Sequence, residues 1–199
     1  MTREDVLNAF RRSGALLEGH FVLSSGRHSA HYLQCARVLM DPAQAERLAA
    51  AMIAAIPVDL RGAVDKVVSP AMGGVIIGHE AGRALGRPAM FLERPTGTFE
   101  LRRGFSLEPG ERVLLVEDVV TTGLSSREAI AAVHATGARV VAATALVDRT
   151  GGSVDLGVPF HPLLAITFPT YAEDAVPDSL AAIPVTKPGS RQTLQDAAP

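Results

Sequence analysis

Cysteine is nearly absent: the 199-residue chain carries one, Cys35, which leaves no internal disulfide and belongs to no metal-ligand pair. Tryptophan is missing and tyrosine occurs twice, too few flat rings for a surface built on base stacking. Positive charge is not in surplus either. The 19 Lys and Arg against 21 Asp and Glu give a formal charge of −2, whereas a generic nucleic-acid binder needs the opposite sign. Although 47% of the residues are apolar, they never run for the roughly 18 positions of a membrane span. The start, Met1-Thr2-Arg3-Glu4-Asp5, carries acids where a secretory leader has an apolar block. The expectation is a cytoplasmic, enzyme-like chain with neither membrane nor nucleic acid as partner. Any phosphate recognition must come from a local site.

What is present alternates. Val6, Leu7 and Phe10 share one side of a predicted N-terminal helix. His20 to Ser29 reads as strand and turn, and a second strand follows through Tyr32 and Leu33. Asp41 and Pro42 open a helix, the aspartate capping free N–H groups and the proline suiting the first helical position. Ala45, Leu48, Ala49, Met52, Ile53 and Ile56 give that helix one buried face. Beyond it, strands at 64–68, 88–92, 113–116, 139–147 and 163–167 alternate with helices at 74–85 and 125–136. Ser125 and Glu128 fit a capping box, and Gly137 a C-terminal stop. This order predicts an α/β fold, a mostly parallel central sheet flanked by helices on both sides. Ligands of such sheets lie beyond the carboxyl ends of the strands, which directs attention to the loops there.

The most informative of these loops closes the stretch Val113-Leu114-Leu115-Val116-Glu117-Asp118-Val119-Val120-Thr121-Thr122-Gly123-Leu124-Ser125-Ser126. An all-apolar run predicts a strand buried on both faces, ended by two carboxylates. Hydroxyls and a glycine then lead into a helix, whose first turn offers unpaired N–H groups and partial positive charge to a phosphate. Gly123 lets backbone approach that anion, and Thr121, Thr122 and Ser125 add hydroxyls. Glu117 and Asp118 would repel a phosphate beside them, so their partners are sugar hydroxyls or a Mg²⁺ ion bridged through water. A phosphate at one end and a diol at the other fit ribose 5-phosphate. The bland alternative is an ordinary strand-to-helix turn with solvated acids. The stretch is neither a Walker loop, lacking Gly-Lys-[Ser/Thr], nor a dinucleotide fingerprint, lacking three spaced glycines.

Position by position, Val113 to Ser125 resembles the phosphoribosyl pyrophosphate signature of the type I phosphoribosyltransferases. The resemblance implies that fold, with Glu117 and Asp118 on the ribose hydroxyls, Thr121, Thr122, Gly123, Leu124 and Ser125 cradling the 5-phosphate, and Val119 and Val120 completing the phosphoribosyl pyrophosphate site. Phe21 to Ser29, followed by Tyr32, resembles the hood of the orotate phosphoribosyltransferases, where a Ser-Gly-Arg-x-Ser turn precedes an aromatic strand. On that likeness Ser25, Gly26, Arg27 and Tyr32 face orotate; Ser24 or Ser25 falls where many relatives carry a lysine. Leu146 to Gly152 is similar to the same family's strand ending in Asp-Arg and a glycine turn. It implies that Arg149, with Thr121, reaches orotate, an acid flanked by carbonyls that suits a planar guanidinium. The competing reading has Arg149 merely closing its loop on Asp148. A single domain over 1–199 is expected, the hood being about 1–40 plus a C-terminal segment and the core about 41–170.

By the same resemblance Ser69 to Gly74 holds pyrophosphate, with Met72 and Gly73 where many relatives have lysine. Arg94, Arg102 and Arg103 lie in the position of the mobile catalytic loop, which in the family's homodimer reaches the neighbouring site. No Lys or His occurs between Met90 and Gly110, so the loop supplies charge but no ready proton donor. His28 and His31 stand near the hood, whereas His79 and His134 fall in helices and read as structural. The implied reaction passes ribose 5-phosphate from Mg²⁺-bound phosphoribosyl pyrophosphate to orotate, and no directly ligated metal site is expected. Two rivals keep the main motif: a transferase for a purine or another pyrimidine, and a regulator of the same fold that binds RNA or DNA. The first does not account for the hood turn and Asp148-Arg149, and the second wants a basic face that a formal charge of −2 does not promise.

Overall fold

The computed structural model describes residues 1–23 and 25–187, so the expectation placed on Ser24 lies outside the described residues. In chain order the helices are α1 (Arg3–Arg12), α2 (Cys35–Leu39), α3 (Pro42–Ala54), α4 (Val58–Gly62), α5 (Gly74–Leu85), α6 (Leu124–His134) and α7 (Asp178–Ala181). The strands are β1 (Leu16–Val22), β2 (His28–Leu33), β3 (Lys66–Pro70), β4 (Ala89–Glu93), β5 (Glu100–Leu101), β6 (Arg112–Val120), β7 (Arg139–Asp148), β8 (Leu164–Ala165), β9 (Thr170–Tyr171) and β10 (Val185–Thr186). They form two sheets. One has the order β5-β4-β3-β6-β7-β8, the other β10-β1-β2-β9. Within the larger sheet every pairing is parallel except β4 with β5.

Helices cover both faces of the larger sheet, as strand–helix alternation predicts. Phe10, Leu48, Met52, Ile56 and Ile77 pack with Leu114 and Val116 on one face, while Ile130 and Val133 pack with Val113 and Leu115 on the other. Strand pleating sends successive side chains of β6 to opposite faces, and here both faces are apolar and dry. Asp41 caps α3 by accepting from Ala43 N at 2.9 Å, with Pro42 at the first helical position.

Three expectations need correction. β6 does not stop at Val116; it runs to Val120, because Glu117, Val119 and Val120 stay in register with Ala145, Val147 and Asp148 of β7. The two acids are therefore strand residues. The capping box at Ser125 is not formed: α6 begins at Leu124 behind Gly123, which has φ +75°, and has no side-chain cap. Glu128 is instead ion-paired with Arg94. The predicted strand over 163–167 shrinks to the two residues of β8.

The smaller sheet contains the segment expected to form the hood. Its β1–β2 hairpin is flanked by strands from the C-terminal part of the chain, β9 against β2 and β10 against β1. Between β8 and β9 the chain passes from the core sheet to the hood in four residues, 166–169.

Candidate active site

Because β6 extends through its acids, pleating sends them to opposite faces. Glu117 points with Val113 and Leu115 toward α6, where Ser126 Oγ donates to its carboxyl at 3.1 Å. Asp118 points with Val116 toward the loop before α5, and its Oδ1 accepts from Val119 N at 2.9 Å. Burial, reinforced by the neighbouring Asp118, lifts Glu117 to about 8. Burial likewise raises Asp118. Two adjacent carboxyl groups both shifted upward by burial, with no basic side chain hydrogen-bonded to either among the described residues, suit a site that receives hydroxyls or a cation.

Beyond Val120 the chain turns through Thr121 and Thr122 into α6. Leu124 N donates to Thr122 Oγ1 at 3.3 Å, and Arg127 ties the turn down by donating to Thr122 O and Asp155 O, both at 3.0 Å. Gly123 is needed twice over. Its φ is +75°, and a Cβ there would lie 2.6 Å from Val154 Cγ2 and 2.8 Å from Leu156 Cδ2. The resulting cavity, of about 420 Å³, is lined by Thr121, Thr122, Gly123, Leu124, Ser125 and, across from them, Arg94. It has room for a sugar phosphate.

The loop after β3 meets the acids at a point where only glycine fits. A Cβ on Gly73 would stand 2.5 Å from Asp118 Oδ2. Met72, beside it, is 84% exposed. From the third loop, Arg94 reaches Glu128 of α6 and lies 4.1 Å over the Phe99 ring. Arg103 pairs with Glu93 at 2.8 Å, and the exposed Arg102 adds to the field that lowers the Glu93 pKa. Of the three arginines, Arg94 alone lines the cavity.

At the end of β7 the turn is organised by Asp148. Fully buried, its carboxylate accepts from Thr150 N, Thr150 Oγ1 and Gly152 N, each at 2.7 Å. Those bonds occupy Asp148 and leave Arg149 free of it, against the reading in which the pair merely closes the loop. Arg149 N donates to Val120 O at 2.9 Å, placing the residue directly beside Thr121. The half-buried Arg149 side chain has no ion pair among the described residues, and its Nε is buried without a hydrogen-bond partner. Burial lowers its pKa, with Tyr32 acting weakly the other way; a guanidinium stays charged at neutral pH all the same.

Tyr32 packs against Phe21 and donates to Gln34 Oε1 at 3.4 Å. The hairpin tip is differently engaged. Ser25 and Gly26 are exposed, and Gly26 N bonds within its own turn to Leu23 O at 2.9 Å. Arg27, expected toward orotate, donates from Nε to Thr170 Oγ1 at 2.9 Å and from its terminal nitrogen to Thr170 O at 2.7 Å. Its bonds fasten β2 to β9. The structure thus brings together Glu117, Asp118, the 119–125 loop, Gly73, Arg94, Arg149 and Tyr32, and holds Ser25 to Arg27 in a separate bonding group. Ser126 and Phe99 were not singled out from the sequence, and Glu128 only as a helix cap. Ser126 carries a signal in hindsight, since the first turn of α6 must face the end of β6.

Comparison with known proteins agrees. The phosphoribosyl transferase domain family matches residues 39–156. The orotate phosphoribosyltransferase of Novosphingobium aromaticivorans is 72% identical over 191 residues, covering 96% of this chain and 98% of that one. That of Sphingopyxis alaskensis is 68% identical over 192 residues, with 96% and 98% covered. The crystal structure of orotate phosphoribosyltransferase from Aeropyrum pernix superposes with a TM-score of 0.70 at 28% identity, over 80% of this chain and 93% of that chain. Matched by the family over more than half its length and by such relatives over nearly all of it, this chain belongs to the orotate phosphoribosyltransferases.

Proposed function

We propose that the site passes the ribose 5-phosphate group of 5-phospho-α-D-ribose 1-diphosphate to orotate, giving orotidine 5′-phosphate and diphosphate in pyrimidine biosynthesis. The observation that carries the reading is Arg149: a half-buried cation without an acidic partner among the described residues, hydrogen-bonded through its backbone to the residue that precedes the phosphate loop. Orotate N1 forms a bond to ribose C1 as the C1–oxygen bond to diphosphate breaks and the N1 proton leaves. Loop N–H groups and hydroxyls at 121–125 hold the 5-phosphate, Glu117 and Asp118 orient the ribose diol, and Arg94, helped by Arg102 and Arg103, faces the departing diphosphate. Arginine is a poor proton donor at neutral pH, so this chain's contribution to departure is charge and positioning.

Mg²⁺ enters this reading with the substrate. Among the described residues no group of three or more His, Cys, Asp or Glu side chains is placed to hold an ion. Two strained carboxyls do fit as outer partners of an ion carried mainly by diphosphate oxygens, where it would neutralise charge on the leaving group.

The test is loss of orotate absorbance with Mg²⁺ and the phosphoribosyl donor, with adenine, hypoxanthine and uracil in parallel. Orotate is expected to be the acceptor, and Arg149→Ala should raise its KM about 30-fold or more, the worth of hydrogen bonds between charged groups. Turnover of another base in preference to orotate, or an unchanged orotate KM in Arg149→Ala, would remove the assignment.

The working form in this reading is a homodimer in the cytoplasm, a reducing setting suited to the free, buried Cys35. No helix among the described residues is long and apolar enough to cross a membrane. The support for a second copy is an apolar groove of about 420 Å³ lined by Val75, Ile76, Met90, Phe91 and Phe105. It lies beside exposed Met72 and next to the arginine loop. Ile76→Glu should shift the mass measured by light scattering from two chains to one, with activity falling alongside. A monomeric parent would end the dimer reading.

A further inference from the structure

Arg149 has an unusual neighbour for a half-buried cation. Its Cζ lies 5.8 Å from the centroid of the Phe168 ring. The same ring stacks on His31, centroids 4.7 Å apart and planes 16° from parallel. Phe168 sits in the four-residue passage between the two sheets, and both ends of that passage are pinned. Ile166 N donates to Asp148 O at 2.8 Å, one residue from Arg149. On the hood side Ser29 Oγ donates to Pro169 O at 3.2 Å, and Thr170 receives both bonds from Arg27. The ring is therefore placed by the core and the hood together.

An aromatic face attracts a guanidinium through its quadrupole without occupying any of its N–H donors. A carboxylate at the same position would also hold the arginine, but it would neutralise the charge and compete with an acidic substrate. The Phe168 ring orients without competing. Its backing is an imidazole from β2, the strand that also carries Tyr32, so the orientation of Arg149 depends on the hood being docked.

We propose that Phe168, backed by His31, is a positioning residue for Arg149, holding the guanidinium with its charge and donors available to the carboxylate and carbonyls of orotate. This rests on the reading of Arg149 as the orotate contact.

The test is steady-state kinetics of the full chain carrying Phe168→Leu, Phe168→Tyr, Arg149→Ala, and Phe168→Leu combined with Arg149→Ala. Phe168→Leu is expected to raise the orotate KM about tenfold, the scale of a partly desolvated cation–π contact. The KM of the phosphoribosyl donor and kcat at saturating orotate should stay within about twofold, since the 121–125 loop is fastened independently. Phe168→Tyr keeps the ring and should restore the parental value. In the Arg149→Ala background, Phe168→Leu should add less than about twofold, because the group it positions is gone. An undiminished tenfold effect in that background, or an equal loss on the donor side, would overturn the proposal by showing a direct or merely structural role. A parental orotate KM in Phe168→Leu, with Arg149→Ala impaired, overturns the stack alone. A parental KM in Arg149→Ala overturns the Arg149 reading and the proposal with it. Should Phe168→Leu not fold, His31→Ala and His31→Phe make the same comparison: about a threefold rise in orotate KM for the first and none for the second support the stack, and equal values overturn it.

Discussion

Alanine in place of Gly73 is expected to lower kcat/KM for the phosphoribosyl donor about a hundredfold, the cost of displacing a substrate-orienting group by about an ångström. Gly73 has φ −58° and ψ −41°, so alanine suits its backbone and no strain arises there. The whole effect comes from one atom: the new Cβ would stand 2.5 Å from Asp118 Oδ2 and 2.7 Å from its Cγ. The carboxyl has to swing away, and with it goes one of the two groups proposed to orient the ribose. Gly62→Ala is the control, since a Cβ at Gly62 meets nothing within 4 Å and should leave kinetics and melting temperature at parental values. Kinetics of Gly73→Ala within twofold of the parent would mean that Asp118 moves freely and has no positioning task.

Glu117→Gln should separate stability from activity in opposite directions. In the ligand-free protein the Glu117 pKa stands at about 8 against an ordinary 4.5. A raised carboxylic pKa means the folded state holds its proton more tightly than the unfolded chain. Between those two values the unfolded chain has lost its proton and the folded chain has not, so stability falls as pH rises. The penalty is absent below the unfolded value and complete above about 8. Glutamine mimics the neutral acid and escapes it. The melting temperature of Glu117→Gln should therefore match the parent near the acid end and exceed it by about 5 °C or more in mild alkali. Turnover should fall about 30–100-fold, since charge-assisted bonds to the ribose hydroxyls are lost. A difference in melting temperature that does not grow with pH would show that Glu117 is not strained by burial. Binding of the Mg²⁺-bound donor should also release a proton near neutral pH, visible calorimetrically as a dependence on buffer ionisation enthalpy.

Much of this architecture is written locally. The helix over Gly74–Leu85 follows from its apolar spacing and its glycine stop, and α3 from Asp41-Pro42 and one buried face. The loop proposed to hold phosphate is legible because hydroxyls, glycine and acids occur together in one short stretch. Other parts depend on partners far away in sequence. β6 continues through Glu117 and Asp118 because β7 lies alongside, an influence invisible when polarity alone is read. The apparent capping box at Ser125 fails because Gly123 takes the cap position two residues earlier and Arg94, from another loop, engages Glu128. Helices α2 and α4 have five residues each, too short for any period to show. Arg27 sits within a recognisable turn, yet its bonds to Thr170 span 143 positions. Phe168 carries no motif at all; its meaning comes only from what folds around it.

The way the hood is paired has a consequence for the order in which a growing chain acquires its parts. The β1–β2 hairpin is among the first segments to leave the ribosome, but its flanking strands come from residues 170–171 and 185–186. By the time those are translated, all six strands of the core sheet have already been synthesised. Pairing over such sequence separation is slow to close. A nascent chain would accordingly own a folded cradle for the sugar phosphate before it owns a place for the base, and selectivity among acceptors would be the last property synthesis confers.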